Sequence, residues 1–326
     1  MIGTEFLPGQ GLGNRLFCYI TARSVAADRG VPFGTAGRAF LGADFLDLDL
    51  GEEITDTGAY RSYHEADKRL YLPNSPHDMV HGCYVAGADP AVRNVPDGTL
   101  LYGNLQAEEY FLNHRADLKD WLRVRPEFES SEFTADDLCI LNLRGGEYTS
   151  DPALYLRRRY WTDAMRHMRE ENPGMRFLII TDDPPAAGRI LPGIPAVHGT
   201  PASDYVAVKN ARYLILSNSS FAFFPAYTSE TVRRIIAPKY WARHNCSDGY
   251  WSSPQNIYRD FTYMDRSGRL FSAEECLDEL RSLTLPETRP YGASSPYTAF
   301  IRKRNELKTL GTKAVWKIQR RFAKKP

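Results

Sequence analysis

Three glycines fall within five residues, Gly9-Gln10-Gly11-Leu12-Gly13, between a short apolar run at 2–7 and the stretch Arg15-Leu16-Phe17-Cys18-Tyr19-Ile20. Glycine carries the largest backbone entropy cost of any residue. A chain tolerates such a cluster where it must turn tightly or come close to something. Read in order, this is strand, glycine loop and helix, a unit that turns backbone N–H groups and a helix N-terminus toward an anion. It is not the dinucleotide fingerprint, whose third glycine would fall at Asn14. The next strand also lacks a clear ribose-binding acid at its end, which disfavours a nicotinamide-dependent oxidoreductase. By itself the loop fits a plain strand-to-helix turn equally well.

The rest of the chain alternates in the same way. The first helix carries Leu16, Phe17, Ile20 and Ala27 and ends near Asp28-Arg29-Gly30, and Val31-Pro32-Phe33 reads as a short second strand. Residues 34–100 read as loops and short elements around a small sheet. The stripe Phe111, Leu118, Trp121 and Leu122 predicts a long helix over 110–124, stopped by Arg125-Pro126. Strands are then expected at 138–143, 176–180, 212–216 and 234–237, with helices at 159–171 and 204–210. Strands alternating with helices imply parallel sheets covered on both faces. At 326 residues there is room for two domains. The Pro/Glu/Ser stretch 125–137 marks the boundary between residues 1–125 and 138–300, and a basic segment, 301–326, follows.

Composition narrows the function. Hydrophobic residues make up 43% and charged residues 25%, as in a soluble globular chain. The net charge of +1 conceals ten Lys or Arg against one Glu after residue 301, so the preceding body sums to about −8. An acidic body argues against nucleic acid as a partner. The five cysteines, Cys18, Cys83, Cys139, Cys246 and Cys276, have no CxxC spacing and read as reduced structural thiols without a zinc site. No apolar run spans a bilayer, and Met1 is read as starting the first strand with no signal peptide. A cytoplasmic location is expected.

In open parallel sheets ligands bind beyond the carboxyl ends of the strands. Those ends here are the glycine loop with Asn14, then Asn142 to Glu147, Thr181 to Asp183, and Ser217 to Ser220. Arg144 beside two glycines can reach a phosphate where the backbone comes close. The serines at 217–220 offer hydroxyls and N–H groups, and Asp182 or Asp183 can accept hydrogen bonds from a base edge. An Asp-Asp pair before Pro-Pro is equally a turn cap.

These pieces resemble a known group. Gly11-Leu12-Gly13-Asn14-Arg15-Leu16-Phe17 is similar to the opening GLGNQ-type loop of bacterial α-1,2-fucosyltransferases, within the GDP-fucose-dependent α-1,2, α-1,6 and protein O-fucosyltransferases. Gly103-Asn104-Leu105-Gln106-Ala107-Glu108-Glu109-Tyr110-Phe111 resembles their G-x-x-Q-S-E-x-Y-F. Asn142-Leu143-Arg144-Gly145-Gly146-Glu147-Tyr148 falls where they have H-x-R-R-G-D-Y, and the end of 177–183 resembles S-D-D. Ile215-Leu216-Ser217-Asn218-Ser219-Ser220-Phe221 resembles I-I-S-N-S-S-F, and Ile236-Ala237-Pro238-Lys239-Tyr240-Trp241 a closing I-A-P-x-x-W. Order and spacing hold from residue 2 to about 241.

The resemblance implies a divergent member of that family: an inverting glycosyltransferase with a GT-B architecture, an α/β fold of two Rossmann-like domains with a cleft between them. It implies a nucleotide-sugar donor, GDP-fucose, bound mainly on the second domain, and a surface-glycan acceptor. Arg144 would hold the β-phosphate, with Asn14 assisting from the first domain. Gly11 and Gly13 would line the donor site with Asn142 and Ser217. Ser219, Ser220 and Phe221 would contact phosphate and ribose, and Asp182 or Asp183 would read the base. Glu147 is a candidate base by position; a salt-bridged Glu explains it as well. The family His, second Arg and Asp are here Asn142, Gly145 and Glu147, and the aromatic pair after the serine motif is Phe223-Phe224 rather than tryptophan. A relative using another nucleotide sugar, or a non-catalytic nucleotide-sugar or glycan-binding module, also fits these departures. No cofactor or metal is expected; Asp47-Leu48-Asp49 looks like a metal-binding DxD but reads as well as an exposed alternating strand. In the basic segment Leu310, Ala314, Val315, Ile318 and Phe322 share one helical arc beside Lys313, Lys317, Arg320, Arg321 and Lys324, with Trp316 off the stripe. That is the layout of a helix lying on the inner face of the plasma membrane, where a lipid-linked acceptor would be found. A solvated tail and a helix packed on the first domain are the alternatives.

Overall fold

The computed structural model describes residues 1–66, 68–70, 84–86, 88–150, 154–239 and 256–283, with isolated positions between 307 and 318. Tyr240, Trp241, Cys83 and Cys246 lie outside the described residues, as does most of the basic segment.

The first sheet takes its strands from β1 (Ile2–Glu5), β2 (Phe33–Ala36), β3 (Glu52–Glu53), β4 (Arg61–His64) and β7 (Thr99–Tyr102), in the order β3-β2-β1-β7-β4, all parallel. A separate antiparallel pair joins β5 (Lys68–Leu70) to β6 (Tyr84–Ala86). The second sheet runs β10 (Ala196–Val197), β9 (Arg176–Thr181), β8 (Leu138–Leu143), β11 (Tyr213–Leu216), β12 (Arg234–Pro238), β13 (Thr262–Met264) and β14 (Leu270–Ser272). It is parallel except for the last strand. The stretch 125–137 carries none of these strands.

Alternation along the strands sorts side chains into two cores. In β8, Cys139, Leu141 and Leu143 face outward beneath the helix Arg158–Glu171, packing with Trp161, Met165 and Met168. Leu138 and Ile140 face the other way, into a core that also holds Ile2, Phe6, Phe17 and Tyr19 of the first unit. The helix α1 (Leu12–Arg29) is therefore covered on two sides, by its own sheet and by the second unit. That explains why eleven of its eighteen residues are buried rather than a single stripe. It ends where Gly30 enters the left-handed region at φ 63° and donates to Ala26 and Ala27 carbonyls. β2 begins at Phe33 rather than Val31, because Pro32 has no N–H to pair; its carbonyl accepts from Ile2 instead.

The helix expected over 110–124 is a correction. The chain instead forms 3-10 turns at Glu108–Tyr110 and Leu112–His114, then one α turn at Leu118–Trp121. Tyr110 and Phe111 are adjacent and both buried, yet serve different neighbours. The Tyr110 hydroxyl donates to Glu65 at 2.6 Å, while the Phe111 ring joins Phe223 and Phe224. The chain here follows these separate attachments, Tyr110 to Glu65 and Asp89 and Phe111 to the Phe223 and Phe224 rings, in short turns rather than one continuous helix.

Candidate active site

Three strand ends of the second sheet meet. β8 delivers Arg144, on a turn made by Gly145 and Gly146; β9 delivers Asp182 and Asp183; β11 delivers Ser217 to Phe221. Arg144 is gripped by two carboxylates. Its Nη1 lies 2.8 Å from Asp182 Oδ2, and its Nη2 donates to both oxygens of Glu147 at 2.7 and 2.9 Å. The other oxygen of Asp182 accepts from the Gly145 N–H at 2.7 Å, so both ends of that carboxylate are used. Burial is the largest influence on Glu147 and opposes its charge, but the hydrogen bond and positive charge of Arg144 together with a backbone hydrogen bond outweigh it and hold the carboxyl below its usual range. Asp183 caps the helix Pro184–Ile190 by accepting from Ala186 N at 2.9 Å. The capping reading thus accounts for Asp183, and Asp182 braces the arginine loop.

Packing explains Gly145, which stands at the family's second arginine. A Cβ there would lie 2.5 Å from Asp183 Cβ, and one on Gly146, at φ +39°, 2.5 Å from Asp182 Oδ2. The turn is pressed against the Asp pair, and no side chain fits between. Tyr148 ties it to the next loop: its hydroxyl donates to the Asn218 carbonyl at 3.3 Å while its ring lies beside the Arg144 guanidinium. Asn142 is buried on the face of β8 that looks toward the first unit, and its carbonyl accepts from Ser217 N at 3.0 Å.

The serine loop presents polar atoms that the protein itself leaves unpaired. Ser217 Oγ and Asn218 Oδ1 are buried and lack a hydrogen-bond partner among the described residues. Buried polar atoms are nearly always paired, so the loop has unused capacity for a ligand. Ser219 caps the turn Ser220–Ala222, accepting from Phe221 N. Ser220 and Phe221 are half-buried and lie against the first unit: a Cβ on Gly13 would be 2.3 Å from the Ser220 carbonyl carbon. Gly11 caps α1 with open space around it. Glycine loop and serine loop are therefore in backbone contact, beside the arginine turn.

Asn14 is held in place through residues that sequence reasoning did not assign to the site. Its Oδ1 accepts from Gln106 Nε2 at 3.0 Å, and Gln106 Oε1 accepts from Asn256 Nδ2 at 2.7 Å. Asn256 belongs to a segment that returns from the second unit. Its neighbour Tyr258 donates to the Gln106 carbonyl at 3.0 Å. Two residues on, buried Glu108 accepts from Tyr227 at 2.6 Å and from Arg259 N. Gln106 and Glu108 stood in one of the quoted motifs; nothing in their types revealed that they join the two units. Leu105, just before Gln106, sits at φ 51°, a strained value for a branched residue, braced by Glu65 and Thr21. An aromatic cluster lies behind this network: Phe17 packs on Phe223 and Phe224 with ring centres 4.8 and 4.6 Å away, and Phe223 packs on Tyr258 at 3.8 Å.

Asp47 and Asp49 do not converge on an open metal position. Asp47 pairs with Arg123 at 2.8 Å and Asp49 with Arg23 at 3.4 Å. Among the described residues no group of three or more His, Cys, Asp or Glu could hold a metal ion.

Two parallel α/β units whose strand-end loops meet across α1 form a GT-B arrangement. No family model matches the chain. Over 176 residues, 48% of this chain and 61% of the relative, it is 26% identical to the Alpha-1,2-colitosyltransferase of Escherichia coli. The chain thus spans 61% of the length of the curated relative it matches. Among solved structures, the chain is similar to POFUT1 in complex with GDP-fucose at 9% identity and a TM-score of 0.43, covering 72% of this chain and 97% of that one. The E. coli heptosyltransferase WaaC with ADP matches at 8% identity and 0.38, covering 73% and 87%. E. coli ADP-heptose lps heptosyltransferase II matches at 12% and 0.39, covering 86% and 98%.

Proposed function

We propose that this protein is an inverting glycosyltransferase that moves a sugar from a nucleoside diphosphate, of the GDP-fucose type, to a hydroxyl of a glycan acceptor. The observation that carries the reading is the Arg144 turn. A guanidinium stands at the carboxyl end of a central parallel strand, already surrounded by carboxylate oxygens as a diphosphate would surround it. Beside it are the serine loop, with its unpartnered Ser217 and Asn218 atoms, and the glycine loop.

In this reading the donor diphosphate displaces Glu147 from Arg144, while Asp182 keeps the guanidinium aimed. The acceptor oxygen forms its bond to the anomeric carbon as the bond from that carbon to the β-phosphate oxygen breaks. The hydroxyl proton passes to the departing diphosphate or to solvent. Arg144 and the N–H groups of the loops neutralise the charge that grows on the leaving oxygen, a contribution of about 3–4 kcal/mol for one well-placed donor. Asn14, fixed by Gln106, approaches the same group from the first unit.

Titration calorimetry with GDP, UDP, ADP, CDP and dTDP tests the nucleotide, and transfer assays with GDP-linked fucosyl and colitosyl donors test the sugar. GDP binding with sugar transfer is the expected result. Binding of another nucleotide alone removes the GDP assignment and keeps the glycosyltransferase reading. Nucleotide binding without any transfer would make this a binding module.

A further inference from the structure

We propose that the helical positions described between Leu307 and Ile318 present an apolar stripe that docks the protein on an anionic lipid surface. The positions described there, Leu307, Leu310, Gly311, Ala314, Val315, Lys317 and Ile318, are helical. Leu307, Leu310, Gly311, Ala314, Val315 and Ile318 recur at spacings of three and four, one face of an α-helix. Among the described residues that face is uncovered. Leu307 and Leu310 are each 62% exposed, Val315 52% and Ile318 53%. Large apolar side chains elsewhere in the described chain reach at most 46%, at Phe40. A soluble body seldom leaves such a stripe bare unless something covers it.

Charge selects the occupant. Ten Lys or Arg stand against one Glu from residue 302 onward. Two such segments packed face to face would bring like charges together, which disfavours a second copy of this helix. A surface with apolar depth and negative head groups satisfies both features. No helix among the described residues is long and apolar enough to cross a membrane, so the contact is interfacial. It would place the enzyme beside a lipid-linked glycan acceptor, on the leaflet that faces the cytoplasm. The docking itself does not depend on the donor assignment.

The test uses the full chain and two variants: Leu310→Glu with Ile318→Glu, and Lys313→Glu with Lys317→Glu and Arg320→Glu. Each is sedimented with phosphatidylcholine vesicles, with and without phosphatidylglycerol, at low and high salt. The expected result is binding to the anionic vesicles alone, weakened by salt. The charge variant should lose at least about 100-fold in partition coefficient, at about fivefold per basic residue removed. The apolar variant should lose binding with no change in melting temperature. Binding indifferent to lipid charge, or unchanged in both variants, overturns the proposal. So does a fall in melting temperature in the apolar variant, which would place the helix on the body. A dimer dissolved by that variant, without vesicle binding, overturns it in favour of a second copy. Soluble-donor turnover is measured in parallel, so that loss of docking and loss of chemistry are read separately.

Discussion

Gly13 and Ser220 lie in backbone contact across the two units: a methyl group on Gly13 would sit 2.3 Å from the carbonyl carbon of Ser220 and 2.5 Å from the nitrogen of Phe221. Backbone cannot move aside as a flexible side chain can. Gly13→Ala should therefore destabilise the protein by about 1–3 kcal/mol, the usual cost of overpacking, and weaken nucleotide binding by separating the loops. Gly11→Ala, in open space at φ −71°, should cost less than about 1 kcal/mol. Thermal melts of the pair check this; equal shifts would mean the units yield freely at this contact.

Arg144→Ala should reduce transfer by several powers of ten with the melting temperature preserved, and Arg144→Lys should restore only part, since a point charge cannot reproduce the fork. Asp182→Asn separates two roles for that residue. As a brace for Arg144 its loss should weaken GDP binding about tenfold or more and leave guanosine binding unchanged. Calorimetry with both ligands decides it; weaker guanosine binding would return Asp182 to reading the base.

Glu147 is held below its ordinary range: burial opposes its charge, and the Arg144 hydrogen bond and charge with a backbone hydrogen bond together outweigh it. A lowered folded-state pKa means that its contribution to stability is complete above the unfolded value and lost as pH falls through the folded one, here below about 4.5. The side chain is 67% exposed, so that contribution is small. A base so acidic is poorly matched to neutral pH. Glu147→Gln should keep transfer within about threefold across pH 5–9 and tighten GDP binding by removing a competitor for Arg144, whereas loss of a true general base costs about 100-fold or more. Rate–pH profiles of both proteins measure this.

Phe223 is fully buried and packs on Phe17 of the first unit and Tyr258 of the returning segment. Phe223→Ala should cost about 3–5 kcal/mol. Because one core spans both units, calorimetry should show a single endotherm that moves as a whole. Two endotherms, one of them unmoved, would mean the units unfold independently.

Much of the second unit was legible in the chain. Continuous apolar runs such as Leu138-Cys139-Ile140-Leu141 are fully buried parallel strands, and their boundaries fall within a residue or two of those expected. The residues 110–124 misled because the stripe Phe111, Leu118, Trp121 and Leu122 has helical spacing, while Tyr110 is drawn to Glu65 and Asp89 by contacts distant in sequence. At the site, the positions of Arg144 and the serine loop were readable from strand ends. The engagement of Asp182 with both Gly145 and Arg144 was not, since it depends on how two neighbouring strands bring their loops together.

Local spacing thus determined on its own that 138–143, 176–181, 213–216 and 234–238 are strands, where the glycine turn falls and which polar residues follow those strands, because these depend on chain-local periodicity and backbone freedom; the short strands at 52–53, 61–64, 99–102, 196–197, 262–264 and 270–272 carry no such local signal. Tertiary structure alone decided what these residues face. Asn14 meets Gln106 and Asn256, Glu108 meets Tyr227, and Gly13 meets Ser220 only after both units close on α1. Each of these contacts joins side chains or backbone far apart in sequence, and their partners are set by the packing of a shared aromatic core rather than by any local pattern.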